Sequence, residues 1–295
     1  MGVRAMYISH KWGDLEPAEG KRDLAKLIEG VKGLTSLGFV VQLTIQTLDT
    51  NNRTLPADLA SEPFDSPRMR ARFASLLRDV AGHLHPGVRW VSLGNEVDIY
   101  LGEHRSELEP YARFVEEGRD VLRAAGCKAL IGVTTTFDGL MTRRALCDRL
   151  NRRMDCVPIT YYPLGPGFAV RPVGDVARDL DRMEEAANGR PWLLQEAGYP
   201  AAPFLGSSED RQAAFIDALF EAAAKHAGRL QMMNVFLLHD FGDALVDGFL
   251  KYYRLPDARF RAYLATLGLK QSDGTPRKAW ARFEAHTRAW AEPGR

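Results

Sequence analysis

"LLQEAGYP", residues 193–200, starts as an apolar strand and ends by presenting Gln195 and Glu196 just ahead of Gly198 and Pro200, which break the run. The same pattern occurs in "WVSLGNEVD", residues 90–98, where Glu96 follows an apolar run. A carboxylate at the end of a buried strand is costly to desolvate. Two of them, one hundred positions apart, call for a common explanation.

Working outward, the chain repeats this layout. Apolar runs stand at "RAMYISHKW" (4–12), "FVVQLTIQT" (39–47), "VRWVSLGNE" (88–96), "KALIGVTTT" (128–136), "DCVPITYYP" (155–163), "PWLLQEAGY" (191–199) and "MMNVFLLHD" (232–240). Helical patterns lie between and after them, at about 21–37, 66–84, 107–125, 141–154, 173–188, 207–227, 257–268 and 276–290. Ser66 before Pro67, and Ser207 and Ser208 before Glu209 and Asp210, are helix starts; Gly38, Gly126 and Gly189 are helix ends. Strands alternating with helices imply parallel pairing through right-handed crossovers. Strands that are apolar nearly throughout fit a sheet covered on both faces.

Polar residues gather at the C-terminal ends of the runs: Trp12, Gln46, Asn95 and Glu96, Thr134 to Thr136, Tyr161 and Tyr162, Gln195 and Glu196, His239 and Asp240. In a (β/α) barrel that rim carries the active site. An open doubly wound sheet would concentrate chemistry at one switch point, usually with a glycine-rich first turn, and no GxGxxG or P-loop is present. The expected fold class is therefore α/β, a TIM-type (β/α) barrel formed by residues 1–295 as a single domain. Seven strands are read rather than eight. The first begins almost at Met1, so the N-terminal β-α unit is expected to be absent. That would leave an opening between the strand at 4–12 and the one at 232–240, where a partner chain could close the edge.

Composition is that of an ordinary globular chain: 45% hydrophobic, 26% charged and a formal net charge of +1. It points to neither nucleic acid nor an anionic membrane surface. No apolar run is long enough to span a bilayer, and "MGVRAMYISHKW" carries no leader pattern. Cys127, Cys147 and Cys156 have neither CxxC nor zinc spacing and read as packed free thiols. His239 and Asp240, adjacent on a strand, point to opposite faces, so no metal is expected. No cofactor is implied.

Two rim carboxylates suit cleavage of a glycosidic bond. One protonates the leaving oxygen, and the other attacks the anomeric carbon or activates water. "GNE" at 94–96 and "QEAGYP" at 195–200, with "KWGDLEPAEG" at 11–20 and "ITYYPL" at 159–164, resemble the retaining (β/α)8-barrel glycoside hydrolases of clan A. "TYYP" and "EAGYP" are most similar to the arabinogalactan endo-β-1,4-galactanases, and the resemblance runs from Gly2 to "LGLKQSDGTPRKAW" at 267–280. The resemblance implies Glu96 as general acid/base, Asn95 as the partner of the sugar hydroxyl beside the anomeric carbon, and Glu196 as nucleophile. It implies a tyrosine steadying the nucleophile; alternation on residues 158, 160 and 162 favours Tyr162, with Tyr161 the other candidate. A retaining outcome requires carboxyls about 5–5.5 Å apart. The acid would need a raised pKa.

Trp12, Gln46, His239 and Asp240 complete the expected carbohydrate contacts. Trp12 would serve as a sugar platform, whereas Glu16 with Pro17 reads as a structural turn. The arginine-rich faces at Arg68, Arg70, Arg72, Arg143 and Arg144 read as solvated surface. The chain departs from the clan where the last strand reads "FLLHDF" without a tryptophan, and where "GPGF" follows the sixth strand. The competing reading is a non-catalytic barrel that binds carbohydrate or a partner protein.

Overall fold

The structure, a computed structural model, describes residues 2–291. Each of the seven apolar runs holds a strand. In chain order these are β1 (Ala5–Lys11), β2 (Val40–Asp49), β4 (Val88–Asn95), the pair β5 (Leu130–Gly132) and β6 (Thr135–Thr136), β7 (Val157–Tyr161), β8 (Trp192–Ala197) and β9 (Leu230–Val235). A two-residue β3 (Asn52–Arg53) folds back on β2. The run at 128–136 splits because Val133 and Thr134 leave the ladder between β5 and β6.

One sheet has the order β1-β2-β4-β5 with β3 on β2; the other has the order β6-β7-β8-β9. The pairs β1–β2, β2–β4, β4–β5 and β6–β7 are parallel, as strands joined through helices must be. β1 and β9 are the end strands of these orders.

The helices are α1 (Trp12–Leu15), α2 (Ala25–Ser36), α3 (Pro67–Ala81), α4 (Val97–Glu103), α5 (Leu108–Ala124), α6 (Phe137–Thr142), α7 (Arg144–Asn151), α8 (Val176–Ala187), α9 (Glu209–Lys225), α10 (Asp243–Tyr252), α11 (Ala258–Leu264) and α12 (Lys278–Ala291). The signals at their ends act as expected. Ser66 Oγ accepts from the Met69 amide and Ser208 Oγ from the Arg211 amide, each satisfying an otherwise unpaired first-turn donor. No described helix is long and apolar enough to cross a membrane.

Contacts divide the chain into two compact units. One holds residues 4–160 and 190–195, the other residues 161–189 and 196–291 with residues 2–3. The larger is built around rings. Trp12 stacks on Phe114 at 6.1 Å and meets Phe73 at 4.9 Å, and Phe64 meets Tyr111 edge-on at 4.8 Å. Burying each such ring removes roughly 1.5–3 kcal/mol worth of apolar surface from water. In the other unit Ala202, Leu205, Val246, Phe260, Tyr263, Leu264 and Leu267 form a core bordered by half-buried Tyr162, Phe168, Phe236 and Phe241. All three cysteines are buried free thiols.

Candidate active site

The local fold around Glu96 follows from "GNE". Gly94 sits at φ +115°, and a Cβ there would lie 2.4 Å from the Tyr111 hydroxyl and 2.6 Å from a Val97 methyl. Only glycine fits beneath Tyr111, whose hydroxyl donates to the Leu93 carbonyl at 3.1 Å. Glu96 then turns left-handed, φ 48° and ψ 39°, ahead of α4. That conformation costs a non-glycine residue about 1–2 kcal/mol. Such strain collects at functional sites.

Both carboxyl oxygens of Glu96 are held. Thr50 Oγ1 donates to Oε2 at 2.8 Å and Thr160 Oγ1 donates to Oε1 at 2.7 Å. Thr50 is itself fixed by its amide on the Asn95 carbonyl and by its carbonyl on the Tyr100 amide. Burial pushes the Glu96 carboxyl up to about 7; the two threonine hydroxyls oppose the rise, and the nearby Asp98 and Asp49 charges add to it. Asp98, fully buried, accepts from the Thr136 amide at 2.8 Å and hydroxyl at 2.7 Å, and burial raises its pKa too.

Asn95 is locked at both ends of its amide. Its Nδ2 donates to Asp49 Oδ1 at 3.0 Å, and its Oδ1 accepts from Gln195 Nε2 at 2.7 Å. Gln46, one of the expected contacts, donates to the same Asp49 oxygen at 3.2 Å. The residues immediately before the two glutamates are thus hydrogen-bonded to one another.

In the other unit, the Tyr162 hydroxyl donates to Glu196 Oε2 at 2.6 Å. The Tyr162 ring meets Tyr263 at 5.5 Å and Phe236 at 6.4 Å, both edge-on. Gly198 makes room for this packing: a Cβ there would stand 2.8 Å from Tyr162 Cε1 and 2.6 Å from the Phe236 carbonyl oxygen.

Several expected residues are elsewhere engaged. Trp12 is 0% exposed, packed on Phe73 and Phe114, and its indole N–H donates to Glu16 at 3.0 Å. It has no face to offer a sugar, which corrects the platform expectation. Tyr161 is also 0% exposed, and its hydroxyl donates to Asp179 at 2.9 Å; of the two tyrosines, it is Tyr162 that reaches Glu196. Asp240 is tied to the C-terminal segment through Arg277 at 2.6 Å and the Gly268 amide at 2.8 Å, so its carboxylate braces the loop rather than standing open. His239 is exposed, with Nδ1 3.3 Å from the Gln271 carbonyl.

Glu16 is structural as expected, bonded to Trp12, Arg22 and Arg72. Arg72 corrects the surface expectation. It is 7% exposed and ion-paired with Glu16 and Asp58.

Residues missed from the sequence are Asp49, Thr50 and Thr160. The alternation that selected Tyr162 also put residue 160 on its face, and would have found Thr160. Asp49 and Thr50 lie past the expected end of the second strand, which extends to Asp49.

No protein-family model matches the chain, and no curated protein does. Solved structures do. The exo-β-1,4-mannosidase Op5Man5 from Opitutaceae bacterium strain TAV5 matches with TM-score 0.78 and 18% identity over 98% of this chain and 53% of its own. This chain therefore spans about half the length of that protein. GH5_18 from Streptomyces cattleya, in complex with Manb1-4GlcNAc, matches with TM-score 0.76 and 16% identity over 100% of this chain and 73% of its own. The Ignisphaera aggregans GH53 catalytic domain matches with TM-score 0.65 and 12% identity over 96% and 85%. The chain has the fold of the clan A glycosidases, an α/β fold of TIM-barrel type.

Proposed function

We propose that the chain is a retaining glycoside hydrolase acting on a β-linked glycan, with Glu96 as general acid/base and Glu196 as nucleophile. The observation that carries this reading is the 2.7 Å hydrogen bond between Gln195 and Asn95, the residues immediately before Glu196 and Glu96 in the chain. Two carboxyls in different surroundings are what a double displacement uses. Glu96, held near neutrality by burial, keeps a proton for the leaving oxygen. Glu196, accepting from the Tyr162 phenol, has its attacking carboxylate oriented and its charge stabilised.

In the first step Glu196 attacks the anomeric carbon while Glu96 protonates the departing oxygen. In the second, Glu96 takes a proton from water, which displaces Glu196. Asn95, Tyr162 and Gln46 are proposed to contact the sugar, and His239 is the exposed candidate at the rim. The mannosidase name of one structural neighbour, and the Manb1-4GlcNAc bound by another, put β-mannosides first on a substrate panel.

The test is a panel of 2-deoxy-2-fluoro β-glycosides followed by mass mapping of the labelled peptide. The proposal expects time-dependent inactivation and a glycosyl adduct on Glu196, from the sugar the enzyme prefers. A label on another residue, or hydrolysis with no trapped intermediate from any sugar, would contradict it.

A further inference from the structure

The chain of amides behind Asn95 has a direction, and one carboxylate sets it. A carboxylate oxygen faced by two side-chain amides accepts from both. Asp49 Oδ1 faces both the Gln46 and Asn95 side chains, so each must turn its NH2 toward it. Asn95 must then turn Oδ1 toward Gln195, and Gln195 must answer with Nε2. That leaves Gln195 Oε1 to accept from Gln42 Nε2 at 2.7 Å, Thr44 Oγ1 at 3.1 Å and Thr134 Oγ1 at 2.7 Å. Reversing Asn95 or Gln46 would set an amide oxygen against the Asp49 carboxylate, and reversing Gln195 would set its oxygen against Asn95 Oδ1. The relay ends at Gln42 Oε1, a buried acceptor with no partner among the described residues.

We propose that Asp49 and Gln195 are positioning residues which fix the amide of Asn95, so that its second Nδ2 proton is held ready for the sugar 2-hydroxyl. This rests on the glycosidase reading. Neither residue touches substrate; they act through Asn95. Asn95 spends one amide proton on Asp49 and its oxygen on Gln195, and only the remaining proton is available to a ligand. Without the relay the amide can rotate or flip, and the oxygen then competes for the position of the donor.

The test compares wild-type protein with Gln195→Met and Asp49→Ala. Substrates are 2,4-dinitrophenyl β-glycosides of gluco, manno and galacto configuration, together with their 2-deoxy counterparts. The readout is the ratio of kcat/KM for a 2-hydroxy substrate to that for its 2-deoxy analogue. This ratio does not depend on the fraction of protein folded, so a destabilised variant still reports. The proposal expects both variants to lose about tenfold or more of the wild-type ratio, the equivalent of one well-placed hydrogen bond. Equal losses on both substrates, leaving the ratio unchanged, would overturn it as mere structural damage.

The orientation is also read without turnover. In 15N-labelled protein the Asn95 side-chain amide pair should shift, and exchange faster with solvent, in Gln195→Met. An unaltered pair would overturn the relay. A wild-type protein inactive on every glycoside but with the expected amide shift would overturn the hydrolase reading and leave the relay supported.

Discussion

Glu96 and Glu196 end similar strands, yet their surroundings differ in kind. Glu96 stands among aliphatic hydroxyls and like charges, in a strained left-handed turn behind a glycine that admits no side chain. Glu196 is met by a phenol whose ring is wedged between Tyr263 and Phe236. The first setting penalises the ionised form and favours a group that gives and takes a proton. The second offers a strong donor to a carboxylate, the partner that the proposed nucleophile needs. The difference teaches that strand-end position makes a carboxylate available, while the neighbours decide its job.

The comparison can be broken by removing each carboxyl. Glu196→Ala should lose at least about 10⁴-fold in kcat/KM on every substrate, because no covalent intermediate forms. Glu96→Ala should lose roughly 10²–10⁴-fold on substrates with poor leaving groups. On a 2,4-dinitrophenyl glycoside, which departs without protonation, its first step should be nearly intact. Equal sensitivity of the two variants to leaving group would erase the distinction.

Tyr162→Phe should cost roughly 10–100-fold in kcat with little change in KM, since it removes one hydrogen bond to a charged group. Tyr161→Phe, which removes the bond to Asp179, should leave kcat near wild type while lowering thermal stability. A reversed outcome would move the nucleophile's partner to the other tyrosine.

A subtler probe is the alkaline limb of the kcat/KM profile, which should fall near pH 7 as free Glu96 loses its proton. Thr160→Val removes a bond that favours the ionised form, so the limb should move to higher pH. Movement to lower pH would show that the hydroxyl stabilises the acid instead.

Stability carries the smallest signal. Glu96 ionises at 4.5 in the unfolded chain and at about 7 when folded. Between those values the folded state holds more protons, so stability falls as pH rises through the window, by a few kcal/mol at most. Glu96→Gln should flatten that slope in denaturant titrations and be no less stable than wild type at pH 8.

Much of this was legible in the chain. The seven runs are apolar because strands covered on both faces must be, and "GNE" and "LLQEAG" announce themselves by placing charge where an apolar run ends. Once the resemblance calls for a tyrosine, alternation favours Tyr162 over Tyr161. What escaped depends on partners distant in sequence. Trp12 is a core residue because Phe73 and Phe114, on helices α3 and α5, close over it. Arg72 is buried because Glu16 waits 56 positions upstream. Thr50 reaches Glu96 only because β2 runs on to Asp49 and pairs there with Asn95. Helices α4 and α10 fall outside the helical stretches expected from the sequence.

The division of labour is tested most directly by azide rescue, with product configuration read by proton NMR. Azide should restore turnover in Glu96→Ala and give a β-glycosyl azide, because the anion attacks the covalent intermediate from the face that Glu96 served. In Glu196→Ala it should replace the nucleophile and give the α-azide. The same anomer from both variants, or the assignments exchanged, would contradict the account.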